Sequence, residues 1–294
     1  MRTLTTMALA SVVIVGAATA EAQTPGALAV APQYDTSHVY VAGADVDRFV
    51  NSFLATFGGQ STKQIVATVT PTPSSTTSQL LQTPVGTVSL FGFKTPIPYP
   101  FGTERTGYLV QDLDAAIAAA RAEGAAVLVA AFPDPIGRDA IIQWPGGVNM
   151  QLYVDTTRPD YPAFQTVPEN RVYVPAEAAA AFVDGFTKFA GGKVEADDAH
   201  APGIEIGRTG DTYRRIRISS GFGRMVVLVT DGQLPFPYGV ETTGYEVADL
   251  VATLDKAKSN GVTVLAGPYR SAGRDAAMVE FPGGYVAELH AASR

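Results

Sequence analysis

Three histidines and no cysteine limit the chemistry open to this chain of 294 residues. Without cysteine there is no disulfide, no thiolate ligand and no cysteine nucleophile. Nor does the sequence carry a nucleophilic serine elbow, a Walker loop or a dinucleotide fingerprint. What remains is imidazole and carboxylate chemistry. Glu288 stands between Ala287 and Leu289 in an apolar run, and a buried carboxylate needs a partner, whether metal, arginine or substrate. His290 lies two residues on and shares its face of a strand. His38 opens a short apolar run, with Tyr40 on the same face. His200 sits in the loop Ala199-His200-Ala201-Pro202-Gly203 and reads as solvated.

These residues belong to a duplicated unit. Gly137-Arg138-Asp139-Ala140, then Pro145-Gly146-Gly147, returns as Gly273-Arg274-Asp275-Ala276, then Pro282-Gly283-Gly284. Thr106-Gly107-Tyr108 returns as Thr243-Gly244-Tyr245, and Val39-Tyr40-Val41 as Val172-Tyr173-Val174. The order is kept each time, so the chain holds two similar domains. Residues identical in both copies, such as Glu104 and Glu241 or the Arg-Asp pairs, read as serving the shared fold. Positions where polar twins differ mark diverged chemistry.

Within one copy, His38–Val41 reads as a strand. Val46, Phe49, Val50, Phe53, Leu54 and Phe57 follow at helical spacing, and Gly58-Gly59 ends that helix. Strand-like runs span 64–70 and 87–93, around a proline-punctuated loop over 71–78. A second strand (106–110), an alanine-rich helix (113–123) and strands over 127–131, 140–144 and 149–154 complete the copy. The expected organisation is a signal peptide over 1–22, a loose arm over 23–35, a first domain over 36–156, a linker over 157–168 and a second domain over 169–294.

The leader reading rests on the basic Met1-Arg2, the apolar run from Met7 to Ala18 and the small-x-small site Ala20-Glu21-Ala22. The run is too short to span a bilayer, which implies a protein exported to the periplasm or secreted. A formal net charge of −7, without a basic stripe, argues against nucleic acid as a partner, and no later stretch suits a membrane. The partner expected is a small molecule, with the chain a monomer or homodimer.

Strand, helix and then strands, twice per domain, resembles the vicinal oxygen chelate superfamily of glyoxalase I, extradiol dioxygenases, fosfomycin-resistance and bleomycin-binding proteins. The marks are Val110-Gln111-Asp112-Leu113, Ala122-Glu123-Gly124-Ala125, the Gly-Arg-Asp and Pro-Gly-Gly turns, and their repeats from Val247-Ala248-Asp249-Leu250 to Glu288. The resemblance implies an α+β fold of four βαβββ modules in two glyoxalase-like domains. It also implies that metal ligands come from the first and last strand of each module. Carried over, the first-strand positions are His38, Arg105, Arg171 and Thr242, and the last-strand positions are Ser89, Gln151, Val226 and Glu288. The family pattern is His, Gln or Glu. Arginine cannot ligate a cation, so the set is broken.

Two pairings stay open. If modules pair within a half, His38, Ser89, Arg105 and Gln151 form one site, and Arg171 bridges to Glu288 in the other. If the halves exchange modules, His38 and Glu288 share one site that can hold a divalent ion, with His290 as a third ligand or acid/base group. Arg105, Arg171 and Gln151 then line an anion site, with Tyr40, Tyr153 and Tyr173 beside these positions. One divalent ion or none is the expected cofactor. The expected function is lyase, isomerase or dioxygenase chemistry on a small oxygenated or anionic molecule. The alternative is a non-catalytic binding protein of the bleomycin-resistance type.

Overall fold

The computed structural model describes residues 28–157 and 159–293, so the leader expected over 1–22 lies outside the described residues. The first half contains β1 (Thr36–Ala42), α1 (Val46–Phe57), β2 (Gln60–Ser61), β3 (Ile65–Ala67), β4 (Thr76–Thr83), β5 (Gly86–Phe93), β6 (Thr106–Leu109), α2 (Leu113–Ala122), β7 (Ala126–Pro133), β8 (Gly137–Trp144) and β9 (Val148–Asp155). The second half repeats the scheme with β10 (Glu169–Pro175), α3 (Ala176–Phe189), β11 (Lys193–Pro202), β12 (Thr212–Ser220), β13 (Gly223–Thr230), β14 (Thr242–Glu246), α4 (Leu250–Lys258), β15 (Thr263–Ser271), β16 (Arg274–Phe281) and β17 (Tyr285–Ala292). This is the expected α+β arrangement of four modules.

Helix boundaries follow local chemistry. The Asp112 carboxylate caps α2 by accepting the Ala115 amide at 2.9 Å, and Asp249 does the same for Ala252 at the start of α4 at 3.0 Å. Gly124, at a φ of 96°, then turns the chain out of α2. The sequence reading missed β4, because Thr76, Thr77, Ser78, Gln79 and Gln82 give it a polar composition. It overextended the strand over 64–70, of which only β3 forms. The arm is not wholly loose: Val30 donates to the Leu109 carbonyl at 3.2 Å, and Gln111 to that of Leu28 at 2.9 Å.

Strand pairing stays within each half. One sheet runs β2-β4-β5-β1-β6-β9-β8-β7, with β3 also on β4, and the other runs β11-β12-β13-β10-β14-β17-β16-β15. The core, by contrast, is shared across the halves. Phe49 and Phe53 of α1 pack with Leu250 and Leu254 of α4 and with Phe281, the Phe53 and Phe281 rings 5.1 Å apart. Trp144 and Ala116 pack with Phe182 and Phe186 of α3. Each such aromatic, removed from water, contributes on the order of 1.5–3 kcal/mol. The helices thus lie on the sheet faces turned towards each other, and residues of the opposite strand phase face two separate concavities.

Candidate functional site

In the first half the four central strands are β5, β1, β6 and β9. Parallel pairing sets His38 opposite Ser89 and Gly107 opposite Gln151. In the second half the same register sets Arg171 opposite Val226 and Gly244 opposite Glu288. The strand ladder therefore corrects two of the carried-over positions. Beside the last strand the fourth corner is Gly107 or Gly244; Arg105 and Thr242 lie instead opposite His38 and Arg171 on the first strand. Glycine is needed there: a Cβ on Gly107 would stand 2.4 Å from His38 Nε2 and 3.0 Å from Thr36 Oγ1.

The first concavity encloses a cavity of about 430 Å³. His38, Tyr40, Ser89, Gln151, Tyr153 and Asp139 line it from the sheet, and Ile65, Leu80, Phe91, Phe101 and Ile136 supply an apolar wall. His38 is buried, with Nδ1 3.5 Å from Oε1 of Glu104, a carboxylate with no exposed surface. The Tyr40 hydroxyl donates to the same oxygen. Burial, and then the Glu104 charge, push that hydroxyl well above its ordinary value. Gln151 donates to Asp139, whose carboxyl is raised well above the usual range by burial and by Asp134. Asp155, further along β9, is raised to about 6 by burial and by Asp134. Arg105 does not line the cavity; its guanidinium lies 5.9 Å from the centre of the Tyr40 ring.

The second concavity is filled by charge. Arg171 bridges Glu288 at 2.9 Å, and Arg274 reaches Glu288 at 3.2 Å and Glu169 at 2.9 Å. His290 Nδ1 is 3.3 Å from Glu288, and the Tyr269 hydroxyl donates to Glu288 at 3.1 Å. Burial alone would raise the Glu288 carboxyl, but Arg171 and Arg274 hold it well below the usual carboxylate range. Glu169, opposed in the same way by burial, is drawn to about 2 by Arg274 and His290. Tyr173 belongs to this half. Deeper in, Glu205 accepts from Tyr213 at 2.6 Å and from Ser271 at 2.7 Å, and pairs with Arg215.

His38 and Glu288 therefore cannot share an ion. They lie on different sheets and face different concavities, because strands pair within halves. For the same reason Arg105, Arg171 and Gln151 do not form one anion site. Glu169, Glu288 and His290 do offer ligand atoms within 4.8 Å of one another, but two guanidiniums already occupy the two carboxylates. Two positive and two negative charges balance there, and a divalent ion would have to displace both arginines. In the first half only His38 and Gln151 of the four corners are ligand-type residues. The residues present do not fit the metal that the fold's pattern calls for.

The repeated Gly-Arg-Asp motif hides a further asymmetry. Five residues lie between Asp139 and Pro145, but six between Asp275 and Pro282. That extra residue moves the second motif to the opposite face of its strand. In β8, Asp139 pairs with Tyr153 and faces the cavity, while Arg138 turns to the helix side and binds Asp114 through two hydrogen bonds of 3.0 Å. In β16 it is Arg274 that enters the concavity, and Asp275 turns away to Arg270. The twins do not serve one shared role, contrary to the sequence reading.

Together, the two curled sheets and four helices define the vicinal oxygen chelate fold, present in two domains. A variant of 4-hydroxymandelate synthase from Streptomyces coelicolor superposes with a TM-score of 0.58 at 13% identity, covering 92% of this chain and 94% of that one. The 2,3-dioxygenase LapB from Pseudomonas sp. KL28 gives 0.53 at 13%, covering 92% and 94%. The Mn(II)-bound glyoxalase from Novosphingobium aromaticivorans gives 0.53 at 16%, covering 87% and 80%. At these identities the likeness is one of fold. No protein-family model matches the sequence, and no curated protein matches it.

Proposed function

We propose that the first domain binds a small oxygenated molecule with an apolar body and exchanges a proton with it through His38. The second domain serves as its structural partner. The observation that carries this reading is the asymmetry of the two concavities: one encloses about 430 Å³, while its twin is closed by the Arg171–Glu288–Arg274–Glu169 cluster. In the open site, the Glu104 carboxylate lies 3.5 Å from His38 Nδ1, and Nε2 is the nitrogen that takes or gives the proton. Gln151 has a second amide hydrogen to donate to a ligand oxygen, and Phe91 and Phe101 exclude water. The chemistry is of the isomerase or lyase kind, proton transfer at a carbon next to a carbonyl. The basic start, the apolar run and the small-x-small site within residues 1–22 support export, to the periplasm or the medium.

A second reading, binding without turnover, is favoured by Ser89 and Gly107 at two corners of the site. One experiment separates them. Small aryl ketones are screened for binding by thermal shift, and the binders are followed by NMR for deuterium uptake at the α-carbon. The wild type should accelerate exchange, and His38→Ala should slow it about 100-fold or more, the usual worth of a positioned acid/base group. Binding with exchange equal in the two proteins leaves a binding protein; no binding at all refutes both readings.

A further inference from the structure

Resting on that reading of the cavity, we propose that the molecule it takes carries a positive charge, as an amine or other small organic cation. The argument begins with the one-residue difference between β8 and β16. It brings an aspartate into the first concavity and an arginine into the second. Asp139 is only 5% exposed and lines the cavity. On its neighbouring strands it lies opposite Phe132 and Tyr153, neither of them cationic. Its side-chain donor is the neutral amide of Gln151.

The other charges around it have the same sign. Asp134 also lines the cavity, and Asp155 and Glu104 stand near enough to oppose ionisation of Asp139. Among the described residues, no arginine or lysine forms an ion pair with Asp134, Asp139 or Asp155. Glu104 has only His38 and Tyr40, and its Oε2 has no partner. The basic groups at the cavity are His38 and an exposed Lys63 at its mouth. In the second half every buried carboxylate of the concavity meets a guanidinium; in the first, no described residue supplies the countercharge. An ammonium group entering beside Asp139 would supply it, and the rings of Phe91 and Tyr153 would favour the same cation. A carboxylate or phosphate would be repelled, which reverses the anionic preference expected from Arg105 and Arg171.

Three probes of one shape test this: 2-phenylethylamine, 2-phenylethanol and phenylacetate, titrated calorimetrically into the full-length mature protein at low salt. The amine should bind about tenfold or more tightly than either of the others. Asp139→Asn should reduce the amine's affinity by about tenfold and leave the alcohol's nearly unchanged. If the alcohol or the acid binds as tightly as the amine to the wild type, the charge inference is overturned and the small-molecule reading stands. If none of the three binds, both fall. The wild-type comparison decides even if Asp139→Asn folds poorly.

Discussion

Replacing Glu288 by Gln tests whether the second concavity is a structural cluster or a site. Glu288 has no exposed surface and is paired with Arg171 at 2.9 Å and Arg274 at 3.2 Å. The amide keeps the shape but removes one of two negative charges, so Arg171 and Arg274 are left to Glu169. Removing one partner of a buried ion pair costs about 3–5 kcal/mol, because the remaining charge stays desolvated. For a chain of this size that is a fall in Tm of roughly 6–20 °C. The assay is urea unfolding followed by fluorescence of Trp144, the single tryptophan, which packs on Phe186 and Phe189 of α3 and so reports the layer between the halves. The double variant Arg171→Met with Glu288→Met, which keeps the Arg274–Glu169 pair, should be destabilised by less than the sum of its single changes. Glu288 and Glu169 both titrate below the unfolded value of 4.5. Their stabilisation is therefore present above that pH and lost as the pH falls through the folded values. The wild type should weaken more steeply than Glu288→Gln between about pH 5 and about pH 2. Unfolding of Glu288→Gln within about 0.5 kcal/mol of wild type, the range of an inconsequential surface change, would refute the cluster. So would loss of ligand binding in the first domain with stability intact.

Gly107→Ala should displace the His38 imidazole, since the new Cβ would stand 2.4 Å from Nε2. We expect about 1–3 kcal/mol of destabilisation and weaker ligand binding, read by urea unfolding and calorimetry. Glu241, which accepts from Thr106 of the first half at 3.0 Å, is raised to about 8, chiefly by burial. Its contribution is fully present below the unfolded value of 4.5 and lost as the pH rises through about 8. Relative to wild type, Glu241→Gln should therefore gain stability at alkaline but not acidic pH, as followed by Tm across that range. Because the guanidiniums hold the place of an ion, dialysis of the purified protein against a chelator should leave its Tm unchanged; a large fall would show a structural metal.

Much of the architecture was legible in the chain. The repeats set two copies, helical spacing from Val46 to Phe57 set α1, and the alanine-rich run ahead of Gly124 set α2. These are local signals, written in the order of side chains along one segment. β4 escaped because period-2 burial can be carried by threonine and glutamine as well as by valine. The importance of Glu288 was also legible, since a carboxylate in an apolar strand has to be paired.

Which residues meet was a different matter. The sequence allowed His38 to face Glu288 or Gln151, because both pairings satisfy the same strand patterns, and hydrogen bonding between β1 and β6 chose the second. The Thr-Gly-Tyr repeat was visible, but only the ladder register placed Gly107 at the corner assigned to Arg105. Glu104 read as a fold residue shared with Glu241. Its contact with His38 and Tyr40 depends on how the segment before β6 returns to the sheet. The Gly-Arg-Asp twins carry the same letters, and their spacing to Pro-Gly-Gly differed in plain sight. That a single residue puts aspartate in one concavity and arginine in the other follows from the two-residue period of a strand, once its pairing is known. Sequence therefore determined the elements and their chemistry, whereas side-chain partners depend on register and sheet order, which contacts between distant segments alone decide.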